Sequence, residues 1–306
     1  MAFLIGDGEA GNQPRATDNN DFLAKLVDFL TGVTGSIPVG ERWTLLKDVS
    51  NLPAEREVYL RAPGLSASEQ IFVNMRTSRV DATGVYYLEI RGAIGFDTLK
   101  TFITQPQVSL PCYLPLNNLD FDYWFVANGR RFVVVALIES TWQHGYGGLY
   151  LPFATPAEFP YPLFVGGSTH VTGLTYRDDR FYISGYWDSA GAAQIIHRDN
   201  SWLTLQNIDG SKPTRQVPGY NTAMHPYRIL ISDFSHNIDG SYSLIPCVMD
   251  TVSFGGNTYG ELEGVYGISG HLQLAGSILT VSGVEYLVAA NSNRLGRASF
   301  VAIRLQ

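Results

Sequence analysis

The sequence predicts a mainly β protein, built of sandwich or barrel-like antiparallel sheets with long loops and one short N-terminal helix. Runs of aromatic and β-branched residues recur at intervals of roughly 8–12 residues and are bounded by turn residues. The 31 glycines and 15 prolines accompany 17 tyrosines and 16 phenylalanines, which is typical of strands joined by irregular loops. Clear helical spacing of apolar residues occurs in one segment only, near the N-terminus.

That segment predicts a helix of about three turns, a length that is marginal in water without a docking surface. Asp18 to Asp21 offer an N-cap, apolar residues then recur at helical spacing, and Gly32 suits the C-terminal end. We therefore expect the helix to pack on the β body through three side chains, which are Phe22, Leu26 and Phe29.

Residues 1–17 contain three glycines and a proline and are predicted to form a loose arm, either disordered or laid on a neighbouring subunit. We divide the chain into the arm and helix at 1–31, a β-rich region at 32–115 and a β-rich body at 116–306, which together make one or two domains. Within the second region, residues 96–106 fit either a short helix or a loop.

A β-hairpin is predicted around Asn128-Gly129, which lies between the apolar runs Tyr123–Val126 and Phe132–Ile138. Asn-Gly favours a two-residue turn with positive φ at both central positions, because that turn matches the twist of the strands. We therefore expect Asn128 and Gly129 to be the two turn residues.

A long apolar loop is predicted from Leu151 to Leu163, where four prolines exclude a helix and remove backbone donors from a sheet. An apolar loop of this kind needs cover, either from the rest of the fold or from a neighbouring subunit. The residues expected to supply these contacts are Phe153, Phe159, Tyr161 and Phe164.

Composition and charge exclude several classes of partner. The net charge of −7 argues against nucleic-acid binding, which depends on neutralising phosphates. No apolar run reaches the roughly 18 residues of a membrane helix, and the N-terminus lacks the basic segment of a signal peptide. Cys112 and Cys247 both lie in apolar strand-like contexts and are predicted to be buried thiols in a reducing compartment.

The excess of arginine over lysine indicates a protein that assembles with other chains. The chain has four lysines, so 17 of its 21 basic residues are arginines. Arginine and tyrosine are enriched in interface cores and lysine is depleted there, so this balance indicates extensive protein–protein contacts. A codon bias toward arginine would produce the same composition.

No catalytic or cofactor site is predicted. The six histidines lack metal-ligand spacing, and no GxSxG or phosphate-binding glycine loop with its lysine occurs. Asp120 and Asp122 would share one face of a strand, as a glycosidase pair could, although neighbouring acids are common in turns. Aromatic residues could stack on sugar rings, but such residues more often serve as core or interface anchors: Tyr146, Tyr150, Tyr182, Tyr186, Trp187 and Trp202.

Three blocks of sequence together resemble the virion structural proteins of tailed bacteriophages, usually called tail or minor structural proteins. They are the helix DFLAKLVDFLTG followed by GERWTLLKD, the block YWFVANGRRFVVVALIESTWQHGYGGLYLPFATPAEFPYPLFVGGS, and the tail GELEGVYGISG…ILTVSGVEYLVAANSNRLGRASFVAIRL. The resemblance covers most of the chain and includes no catalytic motif. It implies assembly in several copies into a virion, in the tail or baseplate, with other tail proteins as partners.

The expected function is therefore that of a non-enzymatic virion protein, assembled in the host cytoplasm. One alternative is a receptor-binding or glycan-degrading tailspike-like protein at the tail tip, whose partner would be a host surface glycan. Another is a head–tail connector or capsid decoration protein. Facing carboxylates in a cleft would favour an enzyme, and exposed stacked aromatics would favour glycan binding. Aromatics buried against neighbouring chains would favour the structural role.

Overall fold

The computed structural model describes residues 1–35, 37–51, 55–64, 69, 71–80, 85–153, 162–167, 193–196, 200–204, 244–251, 257–268, 273–290 and 300–305. Within these ranges the protein is mainly β, all its named strands pair antiparallel, and one short α-helix is present, which confirms the predicted fold class. Over the same residues, no helix has the length and apolar composition needed to cross a bilayer.

Among the described residues, one α-helix, α1 (Asn19–Thr31), follows the first strand, and a 3-10 turn follows at Val39–Glu41. The strands are β1 (Ala2–Gly6), β2 (Thr44–Asn51), β3 (Glu55–Ala62), β4 (Ile71–Val80), β5 (Val85–Ala93), β6 (Cys112–Leu116), β7 (Asp122–Ala127), β8 (Arg131–Ile138), β9 (Thr141–Leu149), β10 (Leu151–Pro152), β11 (Leu163–Gly166), β12 (Ala193–Ile196), β13 (Trp202–Thr204), β14 (Ile245–Thr251), β15 (Asn257–Ile268), β16 (Ile278–Val281), β17 (Val284–Ala290) and β18 (Phe300–Arg304).

The described strands form three sheets. The central sheet has seven strands in the order β1-β7-β8-β9-β11-β12-β13. A five-stranded meander runs in chain order from β2 to β6. A six-stranded sheet has the order β10-β15-β18-β17-β16, with β14 also paired to β15.

The central sheet is covered on both faces, which makes it the middle of three layers. Every residue of β9 is buried, and β8 is buried at all but one position. On one face, a Cβ added at Gly145 would lie 3.0 Å from Ile90 Cδ1 of the five-stranded sheet. On the other face, a Cβ added at Gly276 would lie 3.4 Å from the Trp142 ring. Burial on both faces explains why β8 is a continuous apolar run rather than an alternating one.

Helix α1 lies between the central and five-stranded sheets and is capped as its sequence predicts. The Asp18 side chain accepts a hydrogen bond from the Asp21 amide at 2.7 Å, and Gly32 ends the helix with φ 77°. The Phe22 ring centroid lies 5.1 Å from that of Phe125, and the Phe29 centroid lies 6.0 Å from the same ring. The helix therefore completes the core from one side.

The expectation of a loose N-terminal arm is wrong. The arm begins with β1, which pairs along β7 from Ala2 opposite Ala127 to Gly6 opposite Tyr123. Gly6 packs directly on the Tyr123 ring, where a Cβ would come within 2.0 Å, so the strand fits only with glycine at this position. The partners of this strand lie within the chain and take the place of the neighbouring subunit that we expected.

The hairpin between β7 and β8 is present, but its turn is displaced by one residue. The Asn128 amide donates to the Arg131 carbonyl at 3.0 Å, so the turn residues are Gly129 and Arg130, and neither Asn128 nor Gly129 has a positive φ. The cause is the environment of Asn128. Its Oδ1 accepts from the amides of Arg130 and Arg131, and its carbonyl accepts from Trp43 Nε1 at 2.8 Å.

We expect Phe22→Ala to lower the free energy of unfolding by about 3–5 kcal/mol, because it removes a fully buried ring that contacts other aromatic rings. Lys25→Ala on the same helix is the matched control. It removes only a partly exposed ion pair with Asp21 and should cost about 0.5 kcal/mol or less. Denaturant unfolding of both variants makes the measurement, and equal losses would contradict the position of α1 in the core.

Candidate interaction surface

An ordered loop covers the outer face of the five-stranded sheet. This platform loop, residues 94–111, connects β5 to β6, and the 96–106 segment within it is a series of turns rather than a helix. Gln105 holds it together: its Nε2 donates to the carbonyls of Asp97 and Lys100 at 3.0 and 3.1 Å. Its Oε1 accepts from the Asp97 amide at 2.9 Å. One buried side chain thus satisfies several backbone groups in the first half of the loop.

Phe102 anchors the platform loop on a charged network beneath it. The Phe102 side chain is 1% exposed, and its ring centroid lies 4.7 Å from the guanidinium carbon of Arg76. Below the ring, the Glu89 carboxylate accepts from Arg76 at 2.7 Å and from Arg91 at 2.5 Å. Glu89 is 1% exposed, so its charge depends on these two arginines for compensation.

The same network fixes the ionisation of its neighbours. Burial opposes the charge of Arg76, but Glu89 and other nearby carboxylates outweigh it, so the pKa of Arg76 is raised. Burial, followed by the charge of Glu57, raises the pKa of Tyr59, whose hydroxyl donates to Glu57 at 3.1 Å. Tyr59 therefore remains a neutral donor, and the surface under the loop is fully paired at these positions.

The platform loop displays apolar side chains to solvent. Leu99 is 93% exposed, Ile103 is 55% exposed and Leu110 is 52% exposed. These three are called the displayed residues below. A leucine this exposed contributes almost nothing to the stability of its own chain, whereas burying it against a partner is worth roughly 1.5–3 kcal/mol. The loop that carries it is already ordered, so binding would require little further ordering.

The residues that were predicted to make packing or interface contacts lie in different environments. Phe22, Leu26 and Phe29 are all 0% exposed and make their contacts within this chain. Phe164 is buried as well, with its ring centroid 5.3 Å from that of Tyr146. In the proline-rich loop, Phe153 is 59% exposed, so it is not packed inside the fold as one alternative had it. Phe159 and Tyr161 lie outside the described residues.

The described residues that were considered for glycan chemistry form contacts within the chain. Asp122 forms an ion pair with Arg15, with an Nε–Oδ1 distance of 2.6 Å. Tyr146 and Tyr150 are both 0% exposed, so they are core residues, as the favoured alternative had it, and they cannot stack on sugars. The Trp202 indole donates to the Gln107 carbonyl. The remaining aromatics of that set, at 182, 186 and 187, lie outside the described residues.

Both cysteines are buried, and neither forms a disulfide. Burial raises the pKa of Cys247 to about 12 and raises the pKa of Cys112 as well, so both thiols stay protonated and unreactive at neutral pH. In the described ranges, no three His, Cys, Asp or Glu side chains cluster as metal ligands. The two cysteine side chains contribute to the packing of the core.

A buried histidine lies on the face of the central sheet that packs against the six-stranded sheet. His144 on β9 is 3% exposed, and its side chain points to the same face as Trp142. Burial lowers its pKa from 6.5 to about 4, and the Ala290 backbone opposes that effect only in part. The imidazole is therefore neutral in the folded protein at neutral pH.

Sequence reasoning missed the two residues that organise the platform loop. Glu89 does carry a signal, because it is a single acid between apolar residues within a strand, and buried acids need partners. Gln105 carries none, because its role is to bond backbone groups whose positions the sequence does not reveal.

Comparison with known proteins gives no matching family model, and no curated protein matches the sequence.

We expect Glu89→Gln to destabilise the protein by about 3 kcal/mol, because it leaves Arg91 without its carboxylate partner and Arg76 with only more distant carboxylates such as Glu57. Asp48→Asn is the matched control. It removes the more exposed ion pair with Arg56 and should cost less than about 1 kcal/mol. Urea denaturation of the two variants distinguishes them, and a Glu89→Gln loss as small as that of the control would refute the role of the network.

We expect His144 to make the protein less stable in acid. The imidazole binds a proton near pH 6.5 in the unfolded chain and only near pH 4 in the folded chain. The free energy of unfolding is therefore highest above pH 6.5 and falls as the pH drops toward 4. The total loss of unfolding free energy across this window is about 3 kcal/mol. His144→Gln should flatten the dependence of unfolding free energy on pH across this window. An unchanged slope would mean that His144 is charged or solvated in the folded state.

Proposed function

We propose that this chain is a non-enzymatic structural protein of a tailed-bacteriophage virion, which acts in the tail or baseplate through contacts with its own copies and with other tail proteins. The observation that carries the proposal is the platform loop, an ordered segment that displays Leu99, Ile103 and Leu110 to solvent. The resemblance of the sequence blocks to virion structural proteins is the reason for proposing a phage tail or baseplate.

The anchoring of the platform loop supports an assembly role. A loop that is rigid before binding and apolar at its tip can add contact area at low entropic cost, which suits repeated association of identical subunits. The loop is held by Gln105 from within and by Phe102 from below, so the orientation of the displayed residues is set by the fold. Phe153 adds a further exposed aromatic side chain that a neighbouring chain would cover.

The chemistry of the described residues also supports a non-enzymatic role. The buried carboxylate of Glu89 is neutralised by two arginines, and Asp122 is paired with Arg15. The two thiols are buried and protonated. These groups are committed to stabilising the fold, which leaves the exposed apolar side chains as the distinctive feature of the surface.

The test is complementation of a phage whose own copy of this gene carries a nonsense mutation. Plasmid-supplied wild-type chain should enter particles and restore infectious titre, whereas the double variant Leu99→Ser, Ile103→Ser should enter at least ten-fold less. Leu99→Met is the matched control, because it keeps an apolar side chain at the same position and should incorporate normally. Gradient-purified particles are analysed by quantitative mass spectrometry.

The thermal melts of the isolated chains complete this test. The serine variants should unfold at the wild-type temperature, since Leu99 and Ile103 are exposed and contribute little to the core. Normal incorporation of the double serine variant would reject the role of the platform loop. Absence of the wild-type chain from purified particles would reject the virion assignment altogether.

A further inference from the structure

We propose that strand β16 is a self-association edge, at which two copies of the chain pair antiparallel about a two-fold axis. β16 lies at the end of the six-stranded sheet and pairs with β17 on one side. No strand in the described part of the chain pairs with its other side. Ile278 is 44% exposed and Thr280 is also exposed, as expected for an open edge.

The backbone of β16 has a defined set of outward groups. The hairpin closes through a two-residue turn at Ser282 and Gly283, with φ 51° and 81°, and the Val288 amide donates to the Ser277 carbonyl at 2.9 Å. Backbone groups that bond β17 therefore alternate at positions 277, 279 and 281. Ile278 and Thr280 consequently direct their amide and carbonyl groups away from β17, to the open side.

Four of the other described sheet edges are obstructed. β1 is closed on its outer side, where the Gln13 amide donates to the Ile5 carbonyl at 2.8 Å. β2 has a bulge between Leu45 and Lys47, and both features discourage strand addition. β6 is covered by Gly167, at which a Cβ would lie 2.7 Å from the Tyr113 carbonyl oxygen. β10 has two residues and includes a proline.

The sequence of β16 suits a second copy of itself. Its four residues, Ile-Leu-Thr-Val, have no charge, so antiparallel self-pairing places no like charges opposite each other. All the outward groups are paired in the register in which Ile278 faces Thr280 of the second copy and Leu279 faces its own counterpart. That register forms about four backbone hydrogen bonds and pairs β-branched residues across the axis.

This inference rests on the proposed function only in that both invoke self-association. The edge belongs to the six-stranded sheet and the platform loop to the five-stranded sheet. Variants of one surface therefore leave the other intact, and either proposal can fail alone.

Cysteine cross-linking tests the register. In the proposed dimer, Leu279 forms a non-hydrogen-bonded pair with its counterpart, whose Cα atoms are about 4.5 Å apart and within reach of a disulfide. Leu279→Cys should therefore form a covalent dimer on mild oxidation. Val281→Cys is the matched control: it lies roughly 13 Å from its own counterpart and should stay monomeric. The native cysteines are buried and supply no background. Equal cross-linking at both positions would overturn the register.

Sedimentation tests the association itself. The full-length wild-type chain should reach the mass of a dimer as its concentration rises, and Thr280→Pro should stay at half that mass. Proline at this position removes an outward donor without removing a bond to β17, so the melting temperature should change little. Thr280→Val keeps the backbone donor and should dimerise. A wild-type chain that is monomeric up to millimolar concentration, or a Thr280→Pro chain that still dimerises, would overturn the proposal.

Discussion

The structure depends on a central sheet that is buried on both faces. Strands β7, β8 and β9 have almost no solvent-exposed position, so the layers above and below must be present for the sheet to exist. Helix α1, the five-stranded meander and the six-stranded sheet supply those layers. The few polar groups caught between them, such as His144, must stay neutral or find partners.

This arrangement separates stability from surface function. Because the core is formed around the central sheet, the outer face of the five-stranded sheet can carry a charged network instead of apolar packing. Glu89 and its two arginines form that network, and the Phe102 ring covers it. The platform loop therefore lies on a rigid, electrostatically satisfied base. Leu99 is almost fully exposed, and Ile103 and Leu110 are about half exposed, so their apolar surface is available for contacts between chains.

Sequence patterns predicted the local features and missed the distant ones. The limits of α1 follow from Asp18, Gly32 and the spacing of apolar residues, all within one short segment. The strand in the N-terminal arm was missed because its partner is β7, more than a hundred residues later. The turn at Asn128 was misplaced because Trp43, 85 residues earlier, takes its carbonyl as an acceptor. At the candidate surface, Leu99 was not recognised because exposure depends on how Gln105 folds the loop.

The proposed contact between chains at the platform loop can be seen by electron cryomicroscopy of purified particles that contain this chain. The side chains of Leu99, Ile103 and Leu110 should lie within van der Waals distance of a neighbouring chain, on a loop with the conformation described above. A density map in which those side chains face open solvent, while the subunits contact one another elsewhere, would contradict it.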